Sequence, residues 1–263
     1  MNYNFHTHTK RCGHASGTPE QYIKRAIEHG IEYMGFSDHA PYLYPDGYRS
    51  TFRVPMEEAA EYIAEISTLR EKYRGKIELR VGFEMEYLPA HFEDMLKTAR
   101  ELGAEYLILG QHFAGEERPV PIHASLPTDD PEALNRYVSC VLAGIESGVF
   151  TYVAHPDVLN FIGDDERYRA QMRRICAATR ETGTPLEINF LGLRDKRNYP
   201  DERFWQIAGE EQAPVTFGFD AHDVKSAYDS ASLKKAEAMV IKYGLNYIGM
   251  PEIKMLQENA DLF

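Results

Sequence analysis

Histidine and carboxylate side chains recur along this chain at the ends of short apolar runs, and mixed sets of this kind are the ligands that transition-metal ions favour. The first run ends in Asn4-Phe5-His6-Thr7-His8. The others end in Phe36-Ser37-Asp38-His39, Gly82-Phe83-Glu84, Gly110-Gln111-His112, Val153-Ala154-His155 and Gly218-Phe219-Asp220-Ala221-His222. A β-strand alternates its faces with period two, so His6 and His8 can point the same way, as can Asp220 and His222. Singly, each motif reads as a hydrogen-bonded core histidine or a polar turn. Together they do not, because seven of the ten histidines sit at or just after expected strand ends, and solvated histidines have no reason to gather there. Imidazole mixed with carboxylate suits Zn, Fe or Mn and argues against Ca or Mg alone. Glu84 and Glu86 alternate onto one face, and Glu84, nearer the apolar run, is the candidate bridge between ions. Cys12, close to His14, reads as a small turn residue.

The elements that must carry these groups alternate along the chain. Strands are expected at 2–8, 31–37, 76–84, 106–111, 150–154, 185–189 and 215–219, with a last short strand or extended tail at 245–248. Helices are expected at 19–29, 55–73, 91–102, 131–147, 166–182, near 201–209 and at 230–243. Pro19 opens the first helix and Gly30 follows it. Ala59, Ile63, Ile66 and Leu69 make an apolar stripe on the second. Short apolar strands separated by helices are the pattern of a parallel sheet covered on its outer face. Seven clear strands and one doubtful one favour a barrel of seven or eight βα units, whose active site forms at the C-terminal strand ends. The 263 residues suit one barrel domain over the whole of 1–263, with no linker or repeat to divide it. Two longer connections, roughly 40–54 and 113–130, would overhang the mouth.

Composition removes other classes. Hydrophobic residues make up 43% and charged residues 27%, ordinary for a soluble globular protein. The formal net charge of −12 argues against attraction to nucleic acid or an anionic membrane. Three cysteines without CxxC spacing point to a reducing compartment. The start lacks the basic and apolar regions of a signal peptide, and no apolar run approaches the roughly 18 residues of a membrane span. A cytoplasmic protein is expected, with the oligomeric state left open.

At these residues the chain resembles the polymerase-and-histidinol-phosphatase (PHP) superfamily, and within it the histidinol-phosphate phosphatase branch. The matching motifs are His6-Thr7-His8-Thr9, Cys12-Gly13-His14, Ser37-Asp38-His39-Ala40-Pro41, Gly82-Phe83-Glu84, Gly110-Gln111-His112-Phe113, His155-Pro156-Asp157, Glu187-Ile188-Asn189 and Asp220-Ala221-His222. The resemblance implies an α/β fold, a distorted (β/α)7 TIM-like barrel of parallel strands with two to three divalent metal ions at the C-terminal strand ends. It implies that His6, His8, Glu84 and Asp220 hold a first ion, and that Glu84, His112 and His155 hold a second with Glu84 bridging. His14, His39 and His222 would hold a third, which with Arg194 would bind the phosphate. Many relatives carry a basic residue just after His155-Pro156-Asp157, where this chain has Val158-Leu159-Asn160-Phe161.

The expected chemistry is hydrolysis of L-histidinol phosphate to L-histidinol and phosphate, a step of histidine biosynthesis, by attack of a metal-bridging hydroxide. No P-loop is present, and nothing suggests a phospho-enzyme. Asp38 has two expected roles: proton donor to the leaving alkoxide, or orienting partner of a metal-bound imidazole through its other ring nitrogen. Tyr42, Tyr44, Asp46 and Tyr48 in one loop, and Glu116 and Glu117 in the other, could receive the substrate's ammonium and imidazole. Three other readings compete. One is a PHP-type phosphoesterase for a nucleotide or another small phosphorylated metabolite. Another is an amidohydrolase-type enzyme, disfavoured because no lysine ends a middle strand. The last is a module that keeps metals for structure only.

Overall fold

The computed structural model describes residues 1–118 and 121–256. Eight strands form one parallel sheet in chain order: β1 Tyr3–Asn4, β2 Tyr33–His39, β3 Glu78–Met85, β4 Tyr106–Leu109, β5 Phe150–Val153, β6 Leu186–Asn189, β7 Pro214–Gly218 and β8 Asn246–Tyr247. Helices α1 Pro19–Glu28, α2 Met56–Lys72, α3 Phe92–Leu102, α4 Pro131–Glu146 and α5 Asp165–Thr182 connect them. They are followed by α6 Phe190–Asp195, α7 Glu202–Glu211 and α8 Ser230–Tyr243. Side-chain caps fix several starts. Thr18 and Gln21 form a capping box on α1, and Asp130, Asp164, Asp201 and Asp229 each accept a first-turn N–H.

The sheet closes between β1 and β7, which makes a seven-stranded barrel. Closure is irregular, because β1 is much shorter than the strand expected over 2–8. The Asn4 side chain takes the His6 N–H at 3.2 Å and the Phe219 N–H at 2.9 Å, replacing ladder partners. Pairing resumes at Thr7, bridged to Ala221, with His8 N donating to Ala221 O at 2.9 Å. The doubtful eighth strand is real but brief, and both its residues pair with the start of β7. There it fills the gap where β1 and β7 diverge. The Tyr247 ring stacks on Phe217 at 4.2 Å, and Tyr3 Oη reaches Thr216, Tyr247 and Gly249 O.

Apolar residues between barrel and helices make the main core, while Tyr3, Phe5, Tyr106, Ile108, Tyr152 and Ala154 fill the lower barrel interior. The upper interior is different. Glu84, Glu187 and Asp220 are all buried there. No helix among the described residues is long and apolar enough to cross a membrane.

Candidate metal centre

Each strand end delivers its side chain to one place. Glu84 comes from β3, and His39 ends β2. His112, His155 and Asp220 follow β4, β5 and β7 by a few residues. Within groups of three, donor atoms of His6, His8 and Glu84 lie within 4.8 Å of one another. So do those of His6, His155 and Asp220, of His39, Glu84 and His112, and of His14, His39 and His222. The nine residues singled out from the sequence thus share one rim. Cys12 adds a further group with His8 and His222, but burial and the nearby carboxylates push its thiol up to about 12.

Two glycines make room for the acids. An added Cβ at Gly110 would collide with the Glu84 carboxylate, and one at Gly218 with that of Glu187. Two ligand candidates stand in the left-handed region, His155 at φ 30° and Asp220 at φ 46°. Non-glycine residues hold such conformations at a cost, and they cluster where function requires them.

The hydrogen bonds fix which imidazole nitrogen faces inward. His6 Nδ1 is 2.8 Å from Glu187 Oε1, His112 Nδ1 is 2.7 Å from Glu86 Oε1, and His14 Nδ1 is 2.8 Å from Cys12 O. Carboxylates and carbonyls only accept, so each Nδ1 carries the proton and each Nε2 turns a lone pair inward. Those lone pairs meet other acceptors. His6 Nε2 lies 3.5 Å from both Glu84 Oε2 and Asp220 Oδ1, and His8 Nε2 lies 3.4 Å and 3.3 Å from the same atoms. His112 Nε2 faces Glu84 Oε1 at 3.4 Å, and His14 Nε2 faces His222 Nε2 at 3.0 Å. His6 Nε2, His8 Nε2, Glu84 Oε2 and Asp220 Oδ1 are buried without a hydrogen-bond partner.

Acceptors facing acceptors in a buried site repel unless positive charge lies between them. Protons can supply part of it. Burial alone would lower His6, but Glu187, Asp220 and Glu84 hold it well above its usual value. Burial is likewise outweighed at His8 by Asp220 and Asp38, which raise it to about 9. Glu84 and Asp220 are held well below the usual carboxylate range despite burial, by the surrounding imidazoles. Protonation cannot serve every ring, because burial and the neighbouring His8 push His39 well down. Divalent cations satisfy all of the groups together, and the donor set of imidazoles and carboxylates fits them.

The wider cavity, about 420 Å³, is lined by Phe52, His123, Ser125, Val158, Leu191, Arg194, Arg197 and Tyr199 besides the histidines and acids. Arg194 sits on α6, a helix that the sequence reading treats as loop. Asn189 caps that helix by accepting from Gly192 N, and its amide also donates to Glu187 and Asp220. The guanidinium is held by Asp229 at 3.1 Å and by Asp220 O at 3.4 Å.

One of the two roles expected of Asp38 fits its surroundings better, the expected role of the loop acids needs correction, and two further acids join the site. Asp38 is fully buried, and its ring partner is His8, at 3.4 Å, not the adjacent His39. Its oxygens also accept from Thr9 N, Thr9 Oγ1 and His39 N, a geometry that favours orienting over proton donation. The loop acids do not face the cavity. Glu117 is taken by Arg53 and Tyr44, Glu116 by Ala90 N, and Asp46 by Arg118. From the first loop Phe52 reaches the cavity, and from the second His123 and Ser125 do. Pro119 and Val120 of that second loop lie outside the described residues. Glu187 and Glu86, the two acids behind His6 and His112, are not among the site residues expected from the sequence. Their signal was present: each lies two residues from another inward-facing group, Asn189 or Glu84, on the same face of its strand.

Residues 4–190 match the model of the PHP domain. The chain belongs to the PHP domain family. Among curated proteins, this PHP chain is 29% identical to the histidinol-phosphatase of Bacillus subtilis, over 86% of the chain and 96% of that protein. It is 28% identical to a probable histidinol-phosphatase of Deinococcus radiodurans, over 82% and 85%. Among solved structures it resembles the histidinol phosphate phosphatase of Lactococcus lactis, complexed with zinc, L-histidinol and phosphate. That match has a TM-score of 0.69 and 21% identity and covers 94% of this chain and 95% of that one.

Proposed function

We propose that this PHP protein is a metal-dependent phosphomonoesterase that hydrolyses L-histidinol phosphate to L-histidinol and phosphate. The observation that carries the reading is the set of inward imidazole lone pairs facing Glu84 and Asp220, with a fixed guanidinium beside it. In this reading His6, His8, Glu84 and Asp220 hold one divalent ion, and Glu84, His112 and His155 hold a second. His14, His39 and His222 hold a third; zinc, iron and manganese all suit the donors. When bound, the ions would activate water and neutralise phosphate charge.

The chain's own groups do the rest. Glu187, Glu86 and Asp38 hold His6, His112 and His8 with lone pairs inward. Arg194 offers paired N–H donors to the non-bridging phosphate oxygens, and His14 and His222 border the same phosphate position. Arg197 also lines the cavity and supplies a cation near Val158, where many relatives have a basic residue. Phosphate monoesters hydrolyse among the slowest of uncatalysed reactions, so several positive groups converging on one phosphate are needed.

The relatives named for histidinol phosphate support the substrate, and residues 1–263 are taken as a single barrel domain. The three cysteines are unpaired and buried, in keeping with a cytoplasmic location. The charge of −12 goes with a small phosphate ester as partner and against nucleic acid or membrane.

The test is phosphate release from histidinol phosphate, an aryl phosphate and nucleotides, using metal-stripped and reconstituted protein. We expect histidinol phosphate to be preferred and activity to require metal. Turnover of nucleotides alone would move the protein to the alternative, a PHP phosphoesterase for nucleotides or another small phosphorylated metabolite. Full activity after complete metal removal would overturn the mechanism.

A further inference from the structure

Behind His112 lies a buried charge network that touches the metal site only through Glu86, the acid that holds the His112 ring. Arg53 ends the first rim loop and is 4% exposed. Its Nη1 is 2.7 Å from Glu86 Oε2, while Nε and Nη2 donate to Glu117 Oε2 at 3.0 Å and 2.8 Å. Glu86 follows β3 and is fully buried; Glu117 belongs to the second rim loop and is 2% exposed. Tyr44, from the first loop, donates to the same Glu117 oxygen at 2.6 Å. Arg53 Nη1 also donates to Ala40 O at 3.2 Å, and its guanidinium lies 4.9 Å from the centre of the Phe52 ring. Phe52 lines the cavity and packs near His39 and His112, at 4.9 Å and 5.8 Å between ring centres.

We propose that Arg53 is a positioning residue that couples both rim loops to the metal ligand His112 through Glu86. The reasoning rests on the metal-centre reading above and extends it. One guanidinium meets two carboxylates from different segments, a geometry that a planar fork supports and a point charge does not. Glu86 is the group that holds the His112 ring, so whatever fixes Glu86 fixes the ligand. The cluster of one buried cation and two buried carboxylates leaves one negative charge uncompensated. A divalent ion at His112 lies on the side of the network where positive charge is still needed. The placement of Phe52, and with it one wall of the cavity, is thereby tied to occupancy of the His112 position.

The experiment titrates metal-stripped protein with zinc against a chromogenic chelator, for wild type, Arg53→Met and Glu117→Gln, with melting curves for each. We expect Arg53→Met to weaken one zinc equivalent by about 10-fold, the lower end of the range for loss of a ligand's outer partner because Arg53 acts through Glu86, with the other equivalents unchanged. Arg53→Lys should not restore it, and KM should rise for Arg53→Met through loss of the Phe52 wall. Glu117→Gln, which keeps size and touches no ligand, should give a smaller loss at the same equivalent and covers the case in which Arg53→Met misfolds. Equal zinc affinities in wild type and both variants would overturn the inference while leaving the metal centre intact. So would an equal weakening of every equivalent. Failure of wild type to bind zinc at all would instead overturn the reading on which it rests.

Discussion

The lower and upper halves of the barrel interior are built on opposite terms. Below, Tyr3, Phe5, Tyr106, Ile108, Tyr152 and Ala154 pack among themselves. The Tyr3 and Tyr106 hydroxyls both find partners, the latter on Phe5 O at 2.9 Å. Above, four imidazole and carboxylate atoms of His6, His8, Glu84 and Asp220 are buried with no partner, and two residues stand in strained backbone conformations. The lower half follows the rule that buried polar groups are satisfied at Tyr3 and Tyr106 and departs from it only at the neutral Tyr152 hydroxyl. The upper half breaks it at the one place where cations would restore it. Stability and chemistry therefore occupy separate layers of one barrel, and single substitutions should separate them.

The largest stability effect is expected below. Tyr106 is wedged against Gly35 and Gly82, with no room for a side chain at either position. Tyr106→Ala should cost about 3–5 kcal/mol in denaturant unfolding, and metal stoichiometry should be retained in the folded fraction. A variant that unfolds no more easily but loses metal would erase the distinction between layers.

The converse is expected above. Glu187→Gln keeps volume but weakens the acceptor that holds His6 at 2.8 Å. Metal affinity should fall by about 10–100-fold, and unfolding of the metal-free protein should change far less than in Tyr106→Ala. Chelator competition reads the first and urea titration the second.

The smallest effect is in pH dependence. In metal-free protein His6 and His8 have raised values, His8 to about 9. Their contribution to stability is full below the unfolded value of about 6.5 and is lost as pH rises toward 9. Glu84 and Asp220 are depressed, so theirs is present above about pH 4 and lost on acidification. Metal-free protein should melt lower at pH 9 than at pH 6.5. Metal-loaded protein should show the opposite trend over that range, because binding releases protons. Scanning fluorimetry with and without chelator checks the crossing, and parallel curves would contradict it.

The convergence of the strand-end residues was legible because period-two alternation and parallel βα order act locally and place each end on the same rim. Partnerships between distant residues were not legible. Asp38 serves His8 across two strands, a partner that its place in the chain does not name. Glu117 and Asp46 turned to arginines that sequence could not place beside them. Helix α6 spans six residues, too few for an apolar stripe, and its cap Asn189 also ends a strand. The eighth strand is defined by what it fills, the gap left when β1 stops at Asn4, and only closure of the barrel shows that gap.

The central claim is that Glu84 joins two cations in one buried centre, and counting metals tests it most directly. Elemental analysis of wild type after reconstitution should find two to three divalent ions per chain, and Glu84→Ala should lose two of them together. Its turnover should drop by more than about 10³-fold, beyond the loss of a single oxyanion donor. A wild-type chain holding one ion or none, or a Glu84→Ala chain with its full complement, would contradict the account.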